Sequence, residues 1–291
     1  MDSAYTKFYQ KILTLDRRWI FLMVLIIALT FYKITIPMPI KVTTQTISFY
    51  DTIEQLKPGD IVHITADYTI SVVPELYPMH TAILRRLFEK DVKVIASTLW
   101  TEGVPIIDRA FNEVCAELQK EGKIKTYGID YVNLGYKSGD DVVMTRLGTS
   151  FAETYPVDTR STPVTQIPLM KQVKNFDDIA LMVNFTVGHP GIREWLQQVQ
   201  RRYNVKMLCG ATGIMSPDLY AFYQSGQLEG LLAGLVGAAE YENLLNRPGM
   251  ANAGMTIQSF EHLGIILLII VGNIAFFLQK IKWGKNNVRN N

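Results

Sequence analysis

The side chains able to do chemistry fall just beyond β-rich runs. Asp67, Tyr68 and Thr69 close the run 60–67, and Thr98, Trp100 and Glu102 follow the run 92–98. Thr186, Gly188 and His189 follow 178–184, and Gly210, Ala211 and Thr212 follow 205–209. In an open parallel sheet, ligands sit beyond the carboxyl ends of the strands. Asp67, Thr98, Glu102, His189 and Thr212 are therefore the candidate ligand-binding residues. Asp67 or His189 would be the base of a hydrolase or transferase built there, and Asp67 with Asp130 is a conceivable acid–base pair. The same residue types also cap helices and form turns where strands meet helices, so a structural role is equally open.

More specific chemistry has no signature. The chain lacks Gly-x-Gly-x-x-Gly and the P-loop pattern, and it lacks a Gly-x-Ser-x-Gly elbow. His63, His80, His189 and His262 are far apart, none with a second ligand at helical spacing, so no metal site is expected. Cys115 and Cys209 read as small buried hydrophobes rather than a disulfide or a nucleophile. No catalytic residue and no cofactor is assigned.

The elements that must position these residues alternate. Strands at 60–67, 92–98, 127–134, 141–147, 178–184 and 205–209 are separated by helical patterns at 75–90, 105–121 and 191–203. The expected fold class is α/β, a mostly parallel Rossmann-like sheet with right-handed crossovers. Residues 148–177 hold Pro156, Pro163 and Pro168 and little periodicity, and read as an ordered excursion or lid.

Composition places the ends of the chain elsewhere. The 291 residues are 48% hydrophobic and only 19% charged, with a mean hydropathy of +0.10. An average soluble domain is roughly 25% charged. Residues 19–32 and 263–278 carry no charge, and each run approaches the ~20 residues that cross a bilayer core. Small residues for a signal-peptidase site are missing after Ala28, so the first run reads as an uncleaved anchor. Lys7, Lys11, Arg17 and Arg18 precede it, and Lys280, Lys282, Lys285 and Arg289 follow the second run. By the positive-inside rule both termini are expected in the cytoplasm. The expected organisation is a cytoplasmic N-terminus at 1–18, a span at 19–39, an extracytoplasmic α/β domain at 40–258, a span at 259–279, and a basic tail at 280–291. Each end carries +3, so the overall +2 leaves −4 for the middle, which argues against nucleic acid as a partner.

The segment 225–245 is unusual for its small residues. Read as one helix, it places Gly226, Gly230, Gly234 and Ala238 four apart on a bare ridge. Glycine costs roughly 1 kcal/mol per helical site against alanine, so something should approach this backbone closely. The candidates are its own sheet, the same helix of a second copy, or the bilayer surface. A flexible connection at 246–256 is expected to follow.

The strings Ser225-Gly-Gln-Leu228, Gly230-Leu-Leu232 and Gly237-Ala-Ala-Glu-Tyr-Glu242 resemble a family of uncharacterised two-span membrane proteins. The likeness extends to Pro74-Glu-Leu76, Pro78-Met79, Thr98-Leu-Trp100, Tyr127-Gly128, Asp130-Tyr131 and Gly272-Asn273, and so covers most of the chain. It implies the two-span architecture and no activity. The expectation is a non-catalytic structural or assembly subunit, with the membrane and a homo-oligomer or other membrane proteins as partners. The alternative is a small-ligand-binding or sensory domain using the strand-end crevice.

Overall fold

The computed structural model describes residues 16–31 and 41–289. The expected N-terminal segment 1–15, the end of the first span at 32–39 and the last two residues lie outside the described residues. The chain divides into two units. One is Pro39–Ala251, and the other combines Met1–Met38 with Asn252–Asn291.

The first unit is a doubly wound α/β domain. Its strands are β1 (Ile61–Asp67), β2 (Lys93–Thr98), β3 (Tyr131–Tyr136), β4 (Leu181–Thr186), β5 (Met207–Ala211) and β6 (Gly230–Ala233). They form one sheet in the order β3-β2-β1-β4-β5-β6, and every pairing is parallel. This is the Rossmann-like order, whose direction of growth reverses between β1 and β4. β1, β4 and β5 are buried along their whole length, as a sheet covered on both faces requires.

Two layers cover the sheet. On one face lie α2 (Thr44–Glu54), α3 (Val73–Glu89), α4 (Gly103–Lys120) and α8 (Gly234–Leu244). On the other lie α5 (Asp140–Leu147), α6 (Ile192–Trp195, extended by Leu196–Gln200 and Arg201–Tyr203) and α7 (Ser216–Gln224). The segment 148–177 joins this second layer. Phe151, Val164, Leu169, Val173 and Phe176 from it are buried in the core, so it replaces a crossover helix and is no lid.

Three local expectations are corrected. Residues 141–147 are helical because Asp140 and Asp141 begin a turn whose Val143, Met144 and Leu147 share one buried side. The segment 225–245 is not one helix: Gly226 ends the turn after α7, Gly230 opens β6, and Gly234 opens α8 at a φ of +59°. The edge of β5 captures residues 230–233 as a strand, so the four small residues never form a ridge. The connection at 246–256 is helical from Met250, where α9 (Met250–Arg289) begins.

In the second unit, α1 (Arg17–Phe31) packs against α9. Phe31 stacks on Phe260 with ring centroids 3.7 Å apart, and a Cβ on Gly264 would lie 3.0 Å from Ile27 Cδ1. Contacts that move back along α1 as they move forward along α9 make the pair antiparallel. Among the described residues, one helix, Met250–Lys280, is long and apolar enough to cross a membrane. The 15 residues of α1 reach only about 22 Å at 1.5 Å per residue, short of a core of about 30 Å.

Candidate functional site

The reversal point of the sheet lies at the carboxyl ends of β1 and β4, where this topology usually leaves a crevice. Here the chain fills it. His63, Thr65 and Asp67 alternate on β1, so all three point to the face covered by α6. The register sets Ser97 and Asn184 on either side of Thr65. Asp67 is completely buried. Its Oδ1 accepts the Leu99 N–H at 2.8 Å and the Thr98 hydroxyl at 3.5 Å. Its Oδ2 accepts Asn184 Nδ2 at 2.8 Å and Trp195 Nε1 at 2.9 Å. One carboxylate thus joins β1, β2, β4 and α6. Burial pushes its pKa up to about 6, although hydrogen bonds from Leu99, Trp195, Asn184 and Thr65 pull the other way.

The two histidines beside this region are spectators. His63 Nε2 meets Ser97 Oγ at 2.8 Å, and His80 Nδ1 meets Tyr68 OH at 3.0 Å. Both rings are fully buried, and desolvation lowers each pKa to about 3, so they stay neutral.

The loops beyond the strands fasten to one another. Glu102 Oε2 accepts the Ile70 N–H at 2.7 Å, tying the β2 loop to the β1 loop. Trp100 Nε1 donates to the Pro190 carbonyl at 2.9 Å, tying the β2 loop to the β4 loop. Glu75, in the first turn of α3, accepts the Gly213 N–H at 2.7 Å. Tyr68 is fully buried behind them.

Each candidate ligand residue therefore has a place. Asp67 and Thr98 meet in the core, while Glu102 lies exposed on the rim as a loop latch. His189 is exposed, with Nδ1 2.7 Å from Glu194 Oε1. Thr212 is buried, and its carbonyl accepts the Ser216 N–H and hydroxyl at the start of α7. Of the five, the hydrogen bonds join only Asp67 to Thr98. Asp130 precedes β3 at the amino end of the sheet, where it accepts the Thr126 N–H at 2.7 Å, so it forms no pair with Asp67. Cys209 is buried within β5 while His189 is exposed beyond β4, and both cysteines are free thiols.

Sequence reasoning missed Asn184, Trp195, Glu240 and Glu242. A lone Asn in the apolar run 181–185 was a usable signal, because a buried carboxamide must be hydrogen-bonded. Glu240 and Glu242 of α8 are both buried. Glu240 Oε2 accepts the Thr43 N–H at 3.1 Å and hydroxyl at 2.6 Å, just before α2. Glu242 accepts the N–H groups of Gly249 at 2.8 Å and Ala251 at 2.9 Å, at the start of α9. Gly249 has no side chain with which to cap that helix, and the carboxylate supplies the acceptor instead. One helix thus holds both places where the chain enters and leaves the α/β domain.

The small residues are used inside the domain. A Cβ on Gly230 would lie 2.5 Å from Phe49 Cα, so α2 is the element that approaches closely. Ala238 is buried in α8, and Gly226 stands in an open turn. A groove of about 600 Å³ lies between α3, α4 and the 242–250 turn. Its Arg85 and Arg247 are paired to Glu89, Glu117 and Glu121, so its charges are met from within. Among the described residues no three His, Cys, Asp or Glu side chains cluster as metal ligands.

No family model matches the chain, and no curated protein matches it in sequence.

Proposed function

We propose that the chain is a membrane-anchored α/β domain that serves as a non-catalytic structural or assembly subunit of a homo-oligomer or larger membrane complex. The observation that carries this reading is the closure of the sheet's reversal point. Asp67, the residue best placed to meet a ligand, has both oxygens engaged by Leu99, Thr98, Asn184 and Trp195. Glu102, Trp100 and Glu75 latch the surrounding loops. A ligand-binding crevice would need those donors free.

The membrane half of the reading places spans at 19–39 and 259–279, both termini in the cytoplasm, and the domain outside. The antiparallel packing of α1 on α9 supports it, since it sets the two termini of the pair at one end. So does the outside of the pair, where Phe21 is 71% exposed, Leu29 67% and Leu267 61%, a surface suited to lipid rather than water.

The test is the mass of the detergent-solubilised particle, with its co-purifying chains, alongside a thermal-shift screen of metabolites. The expected result is a particle holding more than one 33.0 kDa chain and no stabilising ligand. A single-chain particle stabilised by a metabolite would overturn the proposal.

A further inference from the structure

The outward face of α9 carries one residue out of character with its surroundings. On the inward side, Phe260 and Gly264 meet α1, and Leu268, Val271 and Ala275 continue the same stripe with reduced exposure. At 3.6 residues per turn, Asn273 lies roughly 180° from the centre of that stripe. It is exposed, and its neighbours on that side are Ile266, Ile269, Ile270, Phe276 and Phe277, each between 49% and 60% exposed. Asn273 lies seven positions before Lys280, about 10 Å along the helix, so on the bilayer reading it lies within the hydrocarbon rather than at the headgroups.

An Asn side chain in lipid has two donors and an acceptor and no water to meet them. Thr30 in α1 solves this problem locally, donating its hydroxyl to the Ile26 carbonyl at 2.7 Å. The Asn273 side chain has no hydrogen-bond partner among the described residues. Gly272 beside it leaves open space, with nothing within 4 Å of where its Cβ would stand.

We infer that α9 pairs with α9 of a second copy of this chain, Asn273 meeting the partner's Asn273 in reciprocal carboxamide hydrogen bonds. The inference rests on the reading that α9 lies in the bilayer. Copies inserted with one topology have parallel spans, and a two-fold axis along the membrane normal brings each residue to its own counterpart at the same depth. A carboxamide is its own complement, because its N–H₂ donates to the oxygen its twin presents. A single such residue in an apolar helix face fixes both register and the number of strands. The aliphatic and aromatic neighbours pack around that bond.

The experiment is energy transfer between donor- and acceptor-labelled full-length chains in proteoliposomes, diluted with lipid. The wild-type chain should transfer efficiently, Asn273→Leu should weaken the apparent association roughly tenfold, and Asn273→Gln should restore most of it. Equal association of N273L and wild type would overturn the inference, as would a wild-type chain that is monomeric at every dilution. So would an Asn273-dependent complex with a different protein in place of a second copy. Alkaline carbonate extraction separates the two levels of the argument. A chain released by carbonate refutes the bilayer reading and this inference together. A carbonate-resistant chain indifferent to Asn273 refutes the inference alone. Asn273→Leu replaces a polar side chain by an apolar one on a lipid-facing surface, so the α/β domain should melt unchanged, which checks that the variant is folded.

Discussion

Asp67 in the α/β domain and Asn273 on α9 are both polar side chains set among apolar ones, the first buried and the second exposed, and they differ in who satisfies them. The domain meets Asp67 with four donors drawn from three neighbouring elements, all in the same chain. Along the helix pair, Asn273 faces outward among apolar side chains and has no such donors or acceptors among the described residues. A sheet packed on both faces supplies partners from many directions, whereas a two-helix pair covers only one side of each helix. The first unit therefore meets Asp67 from within, whereas on the pairing inferred above Asn273 of the second unit is met by another chain.

The sharpest way to break this contrast is to remove Asp67. Asp67→Ala leaves the Leu99 N–H and Trp195 Nε1 buried without an acceptor, and leaves Asn184 Nδ2 with Thr65 Oγ1 alone. It should cost about 3–5 kcal/mol of domain stability. Chemical unfolding of the solubilised chain, followed by tryptophan fluorescence, measures it. A loss below about 1 kcal/mol would mean that the donors find other partners, and that the carboxylate is not the tie between strands.

Acidification tests the same core by charge. The buried His63 and His80 have pKa values depressed to about 3, so their contribution is present above the unfolded value of 6.5 and is lost as pH falls toward 3. Asp67 runs the other way. Its pKa is raised from 3.8 to about 6, so its contribution is full below 3.8 and is lost as pH rises through 6. Between pH 7.5 and 5 the two histidines together lose about 4 kcal/mol and Asp67 regains about 1. The net loss is about 3 kcal/mol, visible as a lower melting temperature at pH 5. Replacing either histidine with Phe should roughly halve the histidine contribution.

The smallest effect separates the two units by their glycines. Gly230→Ala sets a methyl against the α2 backbone at Phe49 and should cost about 2 kcal/mol. Gly272→Ala meets open space and should leave the melting curve where it is. Equal effects at the two sites would show that α2 shifts without penalty and that the packing contrast is weaker than drawn.

Much of the fold was legible because its signals are local. The apolar runs at 61–66 and 181–185 and the amphipathic patterns of α3 and α4 needed no knowledge of their neighbours. The strand-end positions of Asp67, Thr98, Glu102, His189 and Thr212 followed from that alternation. The contacts around them did not, because loop latches such as Glu102 to Ile70 and Trp100 to Pro190 join residues 32 and 90 positions apart. The same limit explains Glu240, which reads as one more helical carboxylate until Thr43, 197 positions away, is set beside it.

By itself the sequence determined the alternating strands and helices, the basic flanks and the apolar ends, since each depends on residue type and short-range period. Only the tertiary structure decided which secondary structure residues 230–233 adopt and which polar groups are satisfied. Gly-Leu-Leu-Ala suits a strand or a helix almost equally, and the open edge of β5 beside Phe49 made it a strand. A hydrogen bond likewise depends on what lies across the fold. That is why the partners of Asp67 appear only once the sheet is assembled, and why Asn273 is still without one among the described residues.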